Sequence, residues 1–200
     1  MRTAVADPPA RKKILEAARS LFMEKGYEGA SVDEICRLAK LTKGSFFHYF
    51  KSKDEVVIAA LDQYHNDMKD KFMACCCVET RDPLERIYIF LDGLKKSMKE
   101  GNGGGCLMGA LGQELSDTHP AVRKMCDESF SGIMAFLEKD LAAAKKKYAP
   151  KSSIDPKGLA EHFVAVMQGA KLLARVRKDG KVAVRELEHY KEYLKQLFKR

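Results

Sequence analysis

Thr42-Lys43-Gly44-Ser45-Phe46-Phe47-His48-Tyr49-Phe50-Lys51-Ser52-Lys53 reads as a short helix followed by the start of another. Thr42 can cap the first turn, with Lys43 just inside it. Gly44 carries no side chain, so a bulky surface can approach the backbone there. Phe46 and Phe50 stand at i and i+4, share a face and can anchor the helix to a core. Ser45, His48 and Tyr49 carry hydrogen-bonding tips. Ser52 and Glu55 have capping-box spacing, the start signal of the next helix. A short anchored helix with a polar, basic outer face suits the reading of a DNA groove.

The residues before it agree. Ser31-Val32-Asp33-Glu34 is a second capping box. It opens a helix with Ile35, Leu38 and Ala39 expected on one face. Lys40-Leu41-Thr42 is a tight connection into the next helix. Helix, short turn, helix is the arrangement in which the first helix crosses the DNA backbone and the second enters the major groove.

From Ile14 to Leu61 the chain resembles the DNA-binding domain of TetR-family transcriptional regulators. The resemblance rests on Ile14-Leu15-Glu16-Ala17-Ala18, Leu21-Phe22, Gly26-Tyr27, Ser31-Val32-Asp33-Glu34-Ile35, Lys43-Gly44-Ser45, His48-Tyr49-Phe50 and Ser52-Lys53. It covers about a quarter of the chain. It departs from the family pattern at Lys40, where the turn often has Gly, and at Phe47, where a Tyr often touches phosphate. The resemblance implies an all-α fold, a homodimer, and a divergent C-terminal domain that binds a small ligand and releases DNA. The expected division is a helix-turn-helix domain over 8–53, a linking helix over 53–77, and a ligand-binding and dimerisation domain over 78–200.

Composition fits this reading. The 200 residues are 46% hydrophobic and 32% charged, enough to bury a sizeable core. No apolar run approaches the roughly 20 residues of a membrane span, and the first ten residues lack a signal-peptide pattern. A cytoplasmic location is the default expectation, with no membrane partner. The formal charge is +8, and residues 1–53 hold 11 Lys and Arg against 6 Asp and Glu, a net of +5. This clustering favours phosphate binding.

For DNA, Lys43 and Ser45 are candidates for base or phosphate contacts. Thr42, His48, Tyr49 and Lys53 are candidate phosphate contacts. Ser31 caps its helix and can also donate to phosphate. Gly44 and Phe47 complete the expected interface. Arg11 and Lys12, at the exposed start of the first helix, fit a phosphate contact or plain solvation equally well.

Beyond the linking helix the 3.6-residue period marks further helices. One starts at Asp82-Pro83, and a short apolar one follows Gly101-Asn102-Gly103-Gly104-Gly105. A third runs from Ala121 to about Lys147, a fourth from Pro156 to about Lys178, and a last from Val184 to Phe198. Phe90, Met98, Met108, Met125, Phe130, Met134, Phe163 and Met167 are core or pocket residues, since Met and aromatic stripes serve both uses, and Cys106 is counted with them as a pocket residue. A dimer interface is expected from the resemblance at Phe163, Val166, Gly169, Ala170, Leu173, Leu187, Tyr190 and Leu194. The alternative is that these two helices pack only on their own core.

The six cysteines show no metal-ligand spacing, and no cofactor is expected. Cys75, Cys76 and Cys77 are consecutive, so within a helix they point about 100° apart and cannot easily share one ion. Cys106 precedes a short helix, and a helix N-terminus favours the thiolate. With Gly105-Cys106-Leu107 and Gln113-Glu114-Leu115-Ser116-Asp117, it resembles a TetR branch that includes electrophile sensors. The expected function is a homodimeric regulator on a palindromic operator, released by a small-molecule effector. The competing reading is a thiol-based redox, electrophile or metal sensor triggered through Cys106. An enzyme is not expected: the chain has no phosphate loop, no metal-binding His pair and no Ser-His-Asp signature.

Overall fold

The computed structural model describes residues 9–75, 80–100 and 105–200, apart from the side chains of Cys75 and Glu100. Within them lie nine helices and no strand: α1 (Pro9–Lys25), α2 (Val32–Ala39), α3 (Lys43–Tyr49), α4 (Lys53–Cys75), α5 (Pro83–Glu100), α6 (Leu107–Leu115), α7 (Pro120–Tyr148), α8 (Pro156–Arg177) and α9 (Lys181–Phe198). The all-α expectation holds. Cys76, Cys77 and the glycine run 101–104 lie outside the described residues. No described helix is long and apolar enough to cross a membrane.

The helices start and stop where local chemistry dictates. Ser31 accepts from the Glu34 amide while Glu34 accepts from the Ser31 amide, so the expected capping box is present. Thr42 accepts from the Ser45 amide. Ser52 accepts from the Glu55 amide at 3.2 Å, but Glu55 reaches back to the Lys51 amide rather than to Ser52. Asp82 caps α5 through the Leu84 and Glu85 amides, and Asp155 caps α8 ahead of Pro156. Gly26 ends α1 at φ +77, the left-handed region that glycine enters without strain. Lys40, at the end of α2, enters the same region at φ 55. For a residue with a Cβ this costs about 1–2 kcal/mol.

Contacts group the chain into two units. One holds the described residues up to Asn66 together with 107–126. Ile14, Ala18, Phe22, Ile35, Phe46, Val57 and Leu61 are among its fully buried side chains. Complete burial of one such side chain contributes about 1.5–3 kcal/mol. Leu38 departs from expectation: it is 51% exposed, because α2 turns Ile35, Cys36 and Ala39 inward instead.

The other unit holds 67–106 and 127–200. Its core joins Leu84, Ile87, Phe90 and Leu91 of α5, Leu137 and Leu141 of α7, Phe163 of α8, and Leu187 and Leu194 of α9. Ion pairs tie the same helices at the rim. Arg86 of α5 forks onto Asp140 of α7, with Nε 3.0 Å from Oδ2. Lys191 of α9 reaches Asp92 of α5 at 2.7 Å. Lys145, Lys146 and Lys147 crowd the last turn of α7, where the carbonyl end of a helix favours cations.

Candidate nucleic-acid interface

Helix α3 is held from beneath. Phe46 is 0% exposed and Phe50 is buried with it, their ring centroids 6.0 Å apart. The guanidinium of Arg11 lies 5.2 Å from the Phe50 ring centroid. This anchoring turns Lys43, Gly44, Phe47 and His48 outward, all four exposed. Ser45 and Tyr49 are half-buried at the edges of that face. Thr42 and Ser45 share a hydroxyl contact at 3.1 Å, and the Tyr49 ring meets the His48 ring edge-on at 4.8 Å. A Cβ added at Gly44 would find only the Thr42 hydroxyl, at 3.7 Å. A flat or convex partner therefore meets backbone at that point.

Charge is arranged across the helix pair. Lys43 Nζ lies 2.7 Å from Asp33 Oδ1, joining α3 to α2 with both side chains well exposed. The Asp33 carboxylate raises the Lys43 pKa by accepting its hydrogen bond. Ser31 sits exposed at the start of α2, its hydroxyl engaged by Glu34. Glu34 is held by Lys25 and by the Ser31 cap, which lower its carboxyl pKa to about 2.

Lys53, expected at phosphate, points into the protein. Its Nζ donates to the Tyr27 carbonyl at 2.9 Å and lies 4.0 Å from the centroid of the Tyr27 ring. Tyr27 collects further partners. Its hydroxyl bonds Asp54, its ring meets the His119 ring at 5.2 Å, and its amide donates to Glu114 Oε2 at 2.8 Å. The Glu28 amide donates to the other Glu114 oxygen at 3.0 Å. Two successive amides after a left-handed glycine form a concave anion-binding nest. Here the nest is filled by a carboxylate from α6. A Cβ at Gly26 would stand 2.8 Å from Glu114 Oε2, so the glycine serves both the backbone angle and the close approach. Burial, then the bond to Asp54, raises the Tyr27 pKa. Sequence reasoning missed Glu114, because its partners lie 87 and 86 residues away. The only local signal was a left-handed glycine with no anion of its own.

The residues expected at an effector pocket separate. Phe90, Met98, Met134, Phe163 and Met167 belong to or pack on the core of the second unit. Met108 is buried in the first unit, where Cys126 Sγ lies 3.8 Å from its sulfur. Met125 and Phe130 are half-buried. A cavity of about 370 Å³ opens in the second unit between Asp155, His162, Tyr193 and Leu197. None of the expected pocket residues lines it. Cys106 is buried just before α6, with the Gln168 amide nitrogen 3.7 Å from its sulfur. No group of three or more His, Cys, Asp or Glu among the described residues could hold a metal ion.

The expected dimer residues also divide. Phe163, Leu187, Tyr190 and Leu194 lie in the chain's own core, Tyr190 donating to the Leu159 carbonyl at 2.9 Å. Ala170 packs with Ala174, Val182 and Ala183. Val166 is half-buried, and Gly169 and Leu173 are exposed. Leu172, Leu173, Val176 and Tyr193 leave large apolar surface on α8 and α9, Val176 being 72% exposed. Positions 163, 167, 170 and 174 face inward, so 172, 173 and 176 fall on the outer side of the same helix.

Comparison with known proteins places this geometry. Residues 14–60 match the family described as bacterial regulatory proteins, tetR family. Residues 83–190 match the tetracyclin repressor-like C-terminal domain. The transcriptional regulator AcuR of Cereibacter sphaeroides is 31% identical over 171 residues, 84% of this chain and 77% of that protein. The transcriptional repressor NemR of Escherichia coli K12 is 24% identical over 92% of this chain and 93% of its own length. A solved regulatory protein TetR from Rhodobacter sphaeroides superposes with a TM-score of 0.80 at 25% identity, over 92% of this chain and 98% of that one.

Proposed function

We propose that this chain, which belongs to the TetR family of bacterial transcriptional regulators, represses transcription as a homodimer on a palindromic operator. Its DNA contacts are Ser31, Thr42, Lys43, Gly44, Ser45, Phe47, His48 and Tyr49, with Lys53 holding the turn at Tyr27 behind them. The observation that carries this reading is the α3 face. Two buried phenylalanines fix the helix, and Lys43, Gly44, Phe47 and His48 stand open to a partner. The excess of positive charge in residues 1–53 supports the same surface. Residues 8–53 act as the reading domain, 53–77 as the link, which α4 (Lys53–Cys75) carries, and 78–200 as the effector and dimerisation domain. The repressor sense rests on relatives such as NemR, named as a repressor.

Selection of duplexes from a random pool by the full chain tests this. A two-fold consensus with half-sites about one helical turn apart is the expected result. A pool that stays random after repeated rounds refutes it.

One contact favours a thiol trigger for release. The Gln168 amide nitrogen donates to the Cys106 sulfur at 3.7 Å, so this thiol stands against a polar group. A mild electrophile should release the selected duplex from the wild-type chain and leave Cys106→Ser bound. Release from both points to another of the six thiols, and release from neither points to a non-covalent effector.

A further inference from the structure

We infer that Phe47 selects a thymine in each half-site by packing on its 5-methyl group, an inference that rests on the DNA-binding reading above. Phe46 and Phe47 are consecutive, yet the helix buries the first completely and leaves the second 56% exposed. The Phe47 ring meets the Phe46 ring edge-on, with centroids 5.2 Å apart and planes at 80°. The fixed neighbour therefore orients the exposed one. Lys43 and Gly44 stand four and three residues earlier, on the same strip of helix. The bare backbone at Gly44, one turn before the ring, is open, since an added Cβ would meet nothing closer than 3.7 Å. A base edge can approach the helix there.

The chemistry then narrows the occupant. A phenyl ring has no donor or acceptor, so it gains no hydrogen bond from a phosphate oxygen. Among the groups that distinguish base pairs on the major-groove edges, the rest are donors or acceptors and the thymine 5-methyl is the apolar one. Charge complementarity brings DNA to this face: Lys43 flanks the ring, and residues 1–53 carry a net +5. Discrimination follows from the contact itself. A methyl on the ring removes apolar surface of both from water, whereas cytosine presents only its C5–H at the same place and leaves that contact unmade.

The test removes the methyl and nothing else. Each thymine of the selected duplex is replaced in turn by deoxyuridine, and dissociation constants are measured for the full-length wild type and for Phe47→Ala. At one thymine per half-site, the wild type should bind about three- to fivefold more weakly after replacement, the size of one buried methyl. Phe47→Ala should bind both duplexes equally, with an unchanged melting temperature because the ring is exposed. Phe47→Leu, still apolar, should restore part of the discrimination. Uniform indifference of the wild type to deoxyuridine overturns the inference while leaving sequence-specific binding intact. So does a penalty that persists undiminished in Phe47→Ala. Failure of selection to enrich any sequence overturns both this inference and the function beneath it.

Discussion

A single lysine carries backbone strain in the reading head. Lys40 closes α2 in the left-handed region, where its Cβ crowds the following carbonyl. Lys40→Gly should raise stability by about 1 kcal/mol in urea denaturation; a fall would mean that the lysine side chain holds the turn by some other contact. Glu34 gives a pH signature at the same scale. Lys25 and the Ser31 cap lower its carboxyl from the ordinary 4.5 to about 2 in the fold. A lowered acid stabilises above its unfolded value and loses that contribution as pH falls through its folded one. Wild type and Glu34→Gln should therefore differ most in melting temperature above pH 4.5 and converge toward pH 2. A gap that does not change with pH would exclude the carboxylate as its source. The caps at Ser31 and Thr42 were legible because each is written within three residues. Lys53 was not. Its partner Tyr27 lies 26 residues earlier, and no local pattern announces a lysine that turns inward.

Two helices act together at the interface, and a charge pair joins them. Asp33 occupies Lys43 in the free protein, with both side chains exposed, so the bond adds little to folding. Its consequence falls on binding. Asp33→Asn should tighten binding to generic duplex DNA several-fold, since it frees an ammonium and removes a charge that repels phosphate. Lys43→Ala should weaken it and flatten the dependence on salt by about one ion. Fluorescence anisotropy across a salt series measures both, and equal slopes for wild type and Lys43→Ala would remove Lys43 from the phosphate contacts. Helical periodicity placed the elements well, because apolar stripes at three and four residues survive any tertiary arrangement. It placed single faces less well. Leu38 was expected beside Ile35 and Ala39 yet is exposed, since packing chooses which arc of a wide stripe is covered.

Across the whole molecule, the question is what meets the outer side of α8. Leu172, Leu173 and Val176 leave apolar surface to water there, and a second copy of the chain is the proposed occupant. Leu173→Arg combined with Val176→Arg should shift the chain to monomer in sedimentation and weaken operator binding, because one reading head then works alone. A dimer that persists would move the interface elsewhere. The interface residues expected from sequence mixed core with surface. Leu187, Tyr190 and Leu194 share the periodicity of an interface, but that period cannot say whether the neighbour is the same chain or another.

The carboxylate nest at the end of α1 sets a rule for how this protein can be taken apart or recombined. Its anion, Glu114, belongs to α6, far along the chain from the amides it satisfies. Residues 107–126 group with the described residues up to Asn66 rather than with their sequence neighbours. The reading head is therefore not a detachable module. Cut after α4, it would lose the helix covering part of α1 and leave two amides facing an empty hollow. A chimera that moves this DNA specificity onto another effector domain must bring α6 with it, or find a carboxylate at the matching place in its new host.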